Sequence, residues 1–123
     1  MTEEDKELLL KDLSSRLPYG VKIELKWWDM GEWTYIDTTL EPDHVEQLLN
    51  DEYGDIEIKP YLRPMSSMTE EQKEEYQHIT ERRMYDSSYS ISDSIYWLNS
   101  HHFDYSGLIE KGLAIDATNL NVY

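Results

Sequence analysis

The spacing of leucines near the N-terminus predicts an amphipathic helix over residues 2–17. Leu9 and Leu13 recur at i,i+4 with further leucines beside them, which gives one apolar stripe. The same pattern places Asp12 and Arg16 on other faces of the helix. Acidic residues fill the first turn, where the helix dipole favours negative charge, and a proline and a glycine follow as stop signals.

Alternating apolar and polar residues over residues 21–40 predict a β-hairpin with its turn at residues 29–32. If Trp28 lies opposite Trp33, then Leu25 lies opposite Ile36, and one face of both strands is apolar. This register is favoured because a slip of one residue would move the apolar set to the solvent side. The two tryptophans then form a cross-strand pair on the polar face.

A third strand and a helix start follow after a short predicted helix at residues 41–50. Ile56 and Ile58 alternate with charged residues, as in a half-buried strand, and Pro60 is expected to end that strand or confine it to an edge. Thr69 begins a capping box that predicts a helix over residues 70–85.

The C-terminal part of the chain predicts two further helices. A polar loop over residues 86–92 precedes a helix to about residue 101, a last short helix covers residues 105–111, and the tail after Asp116 is expected to fray. The predicted fold is therefore α+β: an N-terminal helix, an antiparallel β-hairpin plus a third strand, and C-terminal helices on one face. Its length predicts a single domain, residues 1–123.

Composition narrows the compartment and the classes of partner. The chain has no cysteine, which excludes a disulfide framework, and no apolar run approaches the ~18 residues of a membrane span. The N-terminus is acidic, unlike a secretory signal, so we expect a cytoplasmic protein. The formal net charge of −15 disfavours binding to nucleic acid or to an anionic membrane surface.

The negative charge is concentrated in residues 29–57, here called the acidic segment. No Lys or Arg occurs between Lys26 and Lys59, whereas ten Asp and Glu residues do. Such a segment steers a protein towards a basic partner, although acidic residues also serve solubility alone. Likewise, the tryptophan pair either fixes the hairpin register or anchors a partner. The predicted partner-binding residues are Trp28, Glu32, Trp33, Tyr35, Asp37, Glu41, Asp43 and Glu46.

Catalytic and metal-binding patterns are weak. His101 and His102 are adjacent, so from one helix they point about 100° apart and do not chelate one ion together. The five glycines form no phosphate-binding loop, and no nucleophile-elbow motif occurs. The sequence therefore predicts no catalytic residue, no metal site and no cofactor.

Three blocks of the sequence resemble a known family. They are TEEDKELLLKDLSSRLPY at residues 2–19, IKPYLRPMSSMTEE at residues 58–71 and WLNSHHFDYSGLIEKGL at residues 97–113. In these blocks the chain resembles the uncharacterised small acidic proteins encoded in genomes of gut anaerobes of the Bacteroidales and in their phages and prophages. The resemblance implies a bacterial or phage origin and a cytosolic location in the bacterial host cell, and it implies no activity.

The main functional hypothesis is a non-enzymatic acidic protein that binds a basic surface of a partner protein, in its sharpest form a nucleic-acid mimic that inhibits that partner. A structural accessory that acts by oligomerising is the first alternative. A small metal-dependent enzyme that uses His101, His102 and Asp104 is the second. The sequence does not predict the oligomeric state.

Overall fold

The computed structural model describes residues 1–85 and 91–123, and over these it has an α+β fold with four helices and a mixed five-stranded sheet. The predicted fold class is confirmed. In chain order the elements are α1 (Glu3–Arg16), β1 (Lys22–Asp29), β2 (Glu32–Thr39), α2 (Pro42–Leu49), β3 (Ile56–Pro64), α3 (Glu70–Tyr85), α4 (Ile91–Ser100), β4 (Phe103–Asp104) and β5 (Ile115–Asp116).

Helix α1 packs its leucine stripe into the main core. The Thr2 side chain accepts a hydrogen bond from the Asp5 backbone amide and caps the helix, while Leu9 and Leu13 are buried. The prediction that Asp12 and Arg16 lie on faces of the helix other than the leucine stripe is wrong. Both are buried beside the leucines, where they form an i,i+4 ion pair at 2.7 Å.

The hairpin has the predicted register. Trp28 lies opposite Trp33 and Leu25 opposite Ile36, and the pairing of β1 with β2 is continuous over both strands. Met30 and Gly31 form the two-residue turn, and both have positive φ angles of 50° and 87°, as a type I′ turn requires. The turn twist therefore matches the strand twist, and the tip of the hairpin needs no bulge.

Strand β3 runs through Pro60, so the prediction that the strand ends or lies at an edge there is wrong. The Trp28 amide donates to the Asp55 carbonyl, which means that odd-numbered residues of β3 turn their backbone groups towards β1. The nitrogen of Pro60 thus faces away from β1. On that side β5 pairs with β3 only from Tyr61 onward, so at Pro60 there is no neighbouring strand to which an N–H would donate. The missing N–H of the proline therefore costs no hydrogen bond between strands.

The C-terminal half of β3 is held by parallel partners and by one tyrosine. Strand β4 pairs beside Arg63, and β5 pairs beside Tyr61. Where β1 and β3 separate, the Tyr123 hydroxyl accepts from the Lys22 amide and donates to the Tyr61 carbonyl, each at 2.8 Å. The tail is thus anchored in the sheet, and the prediction that it frays is wrong.

Two apolar clusters lie on the helix side of the sheet. The larger one joins α1 and α2 to β1 and β3, and the smaller one lies under α3 and α4 around Trp97 and Phe103. The predicted capping box is confirmed, since the Gln72 amide donates to the Thr69 hydroxyl and the Thr69 amide donates to the Gln72 side chain. Helix α3 accordingly begins at Glu70.

The predicted last helix over residues 105–111 is wrong, because turns occupy this stretch. The Asp104 carboxylate accepts from the Leu108 and Ile109 amides, each at 3.0 Å, so it caps a turn rather than a helix. Gly112, with a φ of 74°, closes that turn in the left-handed conformation. The predicted polar loop falls largely on residues 86–90, which lie outside the described residues.

Candidate functional site

One face of the sheet, here called the open face, points away from the helices. Its residues alternate along each strand with the buried ones that face α1 and α2, as the two-residue period of a strand requires. The open face consists of Lys22, Glu24, Lys26 and Trp28 on β1, Trp33, Tyr35, Asp37 and Thr39 on β2, and Glu57, Lys59 and Tyr61 on β3.

Aromatic side chains occupy the hairpin-tip end of the open face. Trp28 and Trp33 meet edge to face with ring centroids 5.6 Å apart and planes at 74°. They remain 47% and 45% exposed, and the neighbouring Tyr35 is 64% exposed. The tryptophans therefore fix the hairpin register as a cross-strand pair and still present large apolar surface to solvent.

Asp37 lies on the same face but is already engaged within the sheet. Its carboxylate accepts a hydrogen bond of 2.7 Å from the hydroxyl of Tyr61, two strands away. Burial, followed by this hydrogen bond to the Asp37 carboxylate, raises the pKa of Tyr61. Asp37 thus ties β2 to β3 across β1, and only its remaining lone pairs are free for a partner.

The charges on the open face balance. Lysines and carboxylates alternate there, and Lys26 pairs with Glu24 at 3.4 Å while Lys59 pairs with Glu57 at 3.3 Å. The basic members are Lys22, Lys26 and Lys59, and the acidic members are Glu24, Asp37 and Glu57. The strongly negative charge of the acidic segment therefore lies mainly outside this face.

A group of carboxylates borders the tryptophan pair at the end of the sheet. Glu32 lies opposite Asp29 across the hairpin turn. Asp55 lies beside Trp28, whose backbone amide donates a hydrogen bond of 2.9 Å to the Asp55 carbonyl. All three are exposed. We call Asp29, Glu32 and Asp55 the tip carboxylates. Asp55 lies on the open face and Asp29 and Glu32 on the helix side, so negative charge borders the exposed aromatic surface at this end of the sheet.

The remaining predicted partner residues lie on the other side of the sheet. Glu41, Asp43 and Glu46 are exposed at the start and along the outside of α2, the helix that buries Leu48 in the core. The structure therefore brings Trp28, Trp33, Tyr35 and Asp37 together on the open face. It places Glu32 next to them at the hairpin tip, but on the helix side of the strand, and it separates the three acidic residues of α2 from them.

The histidine pair has structural contacts. The His101 ring stacks on Trp97 with centroids 4.2 Å apart, and the His102 ring stacks on Tyr123 at 3.8 Å. Burial, followed by the nearby positive charge of Arg63, lowers the pKa of His102 to about 4. Over residues 1–85 and 91–123, no group of three or more His, Asp or Glu residues is placed to hold a metal ion.

A buried polar cluster is the feature that sequence reasoning missed. Arg16 Nε donates to Asp12 Oδ2 at 2.7 Å, and Arg16 Nη2 donates to Asp12 Oδ1 at 3.2 Å and to the Phe103 carbonyl at 2.7 Å. The guanidinium also lies 4.9 Å from the centre of the Tyr105 ring. The i,i+4 spacing of the pair next to the leucine stripe is the signal that could have revealed it.

Comparisons with protein-family models, curated proteins and solved structures find no match. The described part of the chain contains no helix that is long and apolar enough to cross a membrane. The resemblance noted from the sequence stays a prediction, and so does the absence of catalytic activity.

Proposed function

We propose that this protein is a non-enzymatic interaction protein that binds a basic surface of a partner protein with the hairpin-tip end of its open face. The observation that supports this proposal most is the half-exposed pair of Trp28 and Trp33 beside the tip carboxylates. Aromatic residues held rigidly in a partly exposed site are typical anchors of protein interfaces, where a few side chains account for most of the affinity.

Electrostatic steering is the second part of the proposal. The net charge of −15 raises the rate of encounter with a cationic surface, while the aromatic pair supplies the short-range affinity. Glu41, Asp43 and Glu46 lie on the helix side of the sheet. In this proposal the partner contacts the hairpin tip, where the tip carboxylates lie, and the α2 carboxylates act only at longer range. In this proposal the partner is met in the cytoplasm of a bacterial cell.

In its sharpest form, the proposal makes the protein a nucleic-acid mimic. Carboxylates around the hairpin tip would take the place of phosphates on the cationic site of a nucleic-acid-binding protein and block it. The tryptophans would stack on arginine side chains there, since guanidinium groups favour aromatic faces.

Self-association through the same aromatic surface is the competing possibility. Two chains that each carry a charge of −15 repel each other, which weighs against an oligomer at low salt. Light scattering separates the two cases: the proposal expects the mass of one 14.7 kDa chain, and a stable particle of twice that mass would favour the accessory role.

In the binding test, the tagged protein is used to capture partners from a nuclease-treated bacterial lysate. The variants are Trp28→Ala/Trp33→Ala and, as a matched control, Tyr53→Ala, which removes an aromatic ring that is 85% exposed but lies outside the open face. We expect that wild type and the Tyr53→Ala control both retain one basic protein at about 0.1 M salt. At about 0.5 M salt neither should retain it, because salt screens the charges.

Loss of that protein from the double variant alone at low salt would support the tryptophan anchor. Retention by the double variant, or a complex that survives the higher salt, would contradict the proposal. The double variant is first checked for its fold by circular dichroism, because it loses about 0.5–1.5 kcal/mol from the edge-to-face pair in addition to the area that the two rings bury.

A further inference from the structure

The outer edge of β2 is a free strand edge. In the sheet order β2 comes first, and of the described strands only β1 pairs with it. The strand is eight residues long and is paired with β1 along its whole length, so the opposite edge is uninterrupted and equally long. An uninterrupted edge of this length is a template for another strand.

The backbone groups that this edge presents can be identified from the ladder. The Leu40 amide donates to the Val21 carbonyl, so residue 40 and the other even-numbered residues of β2 face β1. The odd-numbered ones therefore direct their N–H and C=O groups outward. They are Trp33, Tyr35, Asp37 and Thr39, here called the edge residues.

The usual protection of an edge is missing from β2. Natural edges carry lysine, proline or a bulge to block further pairing, but residues Glu32–Thr39 contain no Lys, Arg or Pro, and the register shows no bulge. Lys22 on β1 approaches one end, where its Nζ donates to the Thr39 hydroxyl at 2.7 Å. Apolar surface flanks the rest, with Ile36 47% exposed on the helix side.

Charge decides which strand fits this edge. The strand carries Glu32 and Asp37, Asp29 ends β1 just before the turn, and Glu41 follows the strand. A second copy of the chain would pair two acidic strands of two proteins that are each at −15, whereas a cationic strand would place Lys or Arg beside these carboxylates. The edge therefore favours a basic partner segment over self-pairing.

We infer, building on the proposed function, that the basic partner docks by adding an extended cationic segment as a new strand along the outer edge of β2. Main-chain hydrogen bonds to the edge residues give the segment its alignment. Alternate side chains of the segment lie beside Trp33 and Tyr35 on one face and beside Ile36 on the other. Recognition then requires basic residues interleaved with apolar ones, in an unfolded or terminal stretch of the partner.

The first test uses synthetic peptides that alternate Lys or Arg with Val and are about as long as β2. One peptide is unmodified, and two isomers carry N-methyl groups on either the odd or the even amides. In a β-strand only alternate amides face the neighbouring strand, so one isomer should bind normally and the other about tenfold more weakly. Backbone amide shifts and hydrogen exchange of the edge residues, measured by NMR, report the binding.

The outcomes separate this inference from the proposed function. Slowed exchange at Tyr35 and Asp37, together with discrimination between the two isomers, supports strand addition. Equal binding of both isomers overturns strand addition but leaves the binding of a cationic partner standing. No effect on any edge residue at about 1 mM peptide also overturns strand addition, and the proposed function is then judged by the capture experiment alone.

A variant of the protein tests the same hydrogen bonds from the other side. Tyr35→Pro removes the side chain and one outward N–H, whereas Tyr35→Ala removes the side chain only. Proline is tolerated at an edge position whose N–H faces solvent, so both variants should fold. Strand addition predicts about tenfold weaker peptide binding for Tyr35→Pro than for Tyr35→Ala, and equal binding by two folded variants would overturn it.

Discussion

The ion pair between Asp12 and Arg16 offers the sharpest test of the energetics of this fold. Both side chains are buried, with relative exposures of 4% and 0%, and they join through two hydrogen bonds of 2.7 and 3.2 Å. Asp12→Ala removes the carboxylate and leaves the guanidinium enclosed. Its remaining contacts are the dipole of the Phe103 carbonyl and the quadrupole of the Tyr105 ring, and neither carries a negative charge that would neutralise the guanidinium.

The expected cost follows from the burial of one unpaired charge. Removal of one partner of a buried pair destabilises proteins by about 3–5 kcal/mol. The surviving contacts of Arg16 place the cost of Asp12→Ala near the lower end, at about 3 kcal/mol. For a chain of this size, that corresponds to a melting temperature roughly 10–15 °C lower, and it is a large part of a typical total stability of about 5–15 kcal/mol.

Urea unfolding followed by circular dichroism measures this cost against two controls. Glu70→Ala breaks an exposed pair with Lys73 (3.2 Å) and should change the unfolding free energy by less than about 1 kcal/mol. Asp12→Leu/Arg16→Met removes both charges and should recover most of the loss, because no charge is then buried alone. If Asp12→Ala proves as stable as Glu70→Ala, the inference that Asp12 neutralises a buried charge on Arg16 is refuted.

Three further predictions concern the caps, the tail and pH. Thr69→Ala should lower the unfolding free energy by about 1 kcal/mol in urea titrations through loss of the capping box, and an unchanged midpoint would contradict it. Tyr123→Phe should cost about 1–3 kcal/mol in the same assay, since the Lys22 amide and the Tyr61 carbonyl lose their shared partner. The folded state lowers the pKa of His102 from 6.5 to about 4, so the unfolded state binds more protons between these values, and stability should fall as pH drops through that window. Between about pH 7.5 and pH 5 the free energy of unfolding of the wild type should fall by about 1–2 kcal/mol. The His102→Asn variant should show a smaller fall than the control variant at the exposed His78, His78→Asn. Equal falls in the two variants would count against this prediction.

The hairpin could be predicted in detail because its information is local. Trp28, Trp33, Leu25 and Ile36 lie within one short stretch, and only one register puts all apolar residues on a common face. The capping box at Thr69 is local in the same way. Such patterns need no knowledge of what the rest of the chain does.

The features that the sequence did not reveal depend on distant partners. Pro60 is harmless inside β3 only because its nitrogen faces a side that β5 joins one residue later. The burial of Arg16 depends on the carbonyl of Phe103, far along the chain. Turn residues near Asp104 and the tail are likewise fixed by tertiary contacts, which no helical or strand periodicity encodes.

The candidate site was predictable in its parts and not in its arrangement. The tryptophan pair and the acidic segment are visible in the sequence. That the lysines of the open face neutralise its carboxylates, and that α2 carries Glu41, Asp43 and Glu46 to the other side, follows only from the three-dimensional path of the chain. The free outer edge of β2 is also a property of the complete sheet.

Strand β3 changes its kind of partner along its length, and this has a consequence for the order of folding. Its first half pairs with β1 at sequence separations of 29–37 residues, whereas its second half pairs with Phe103 and Ile115 at separations of 40 and 54. Closing a longer loop costs more entropy before any contact is formed, so the antiparallel pairs of β1 with β2 and β3 should form early and the parallel pairs late. Strand β3 would thus pair progressively from its N-terminal to its C-terminal end. A refolding chain should gain a protected amide at Lys26, whose backbone faces β3, before it gains one at Ala117.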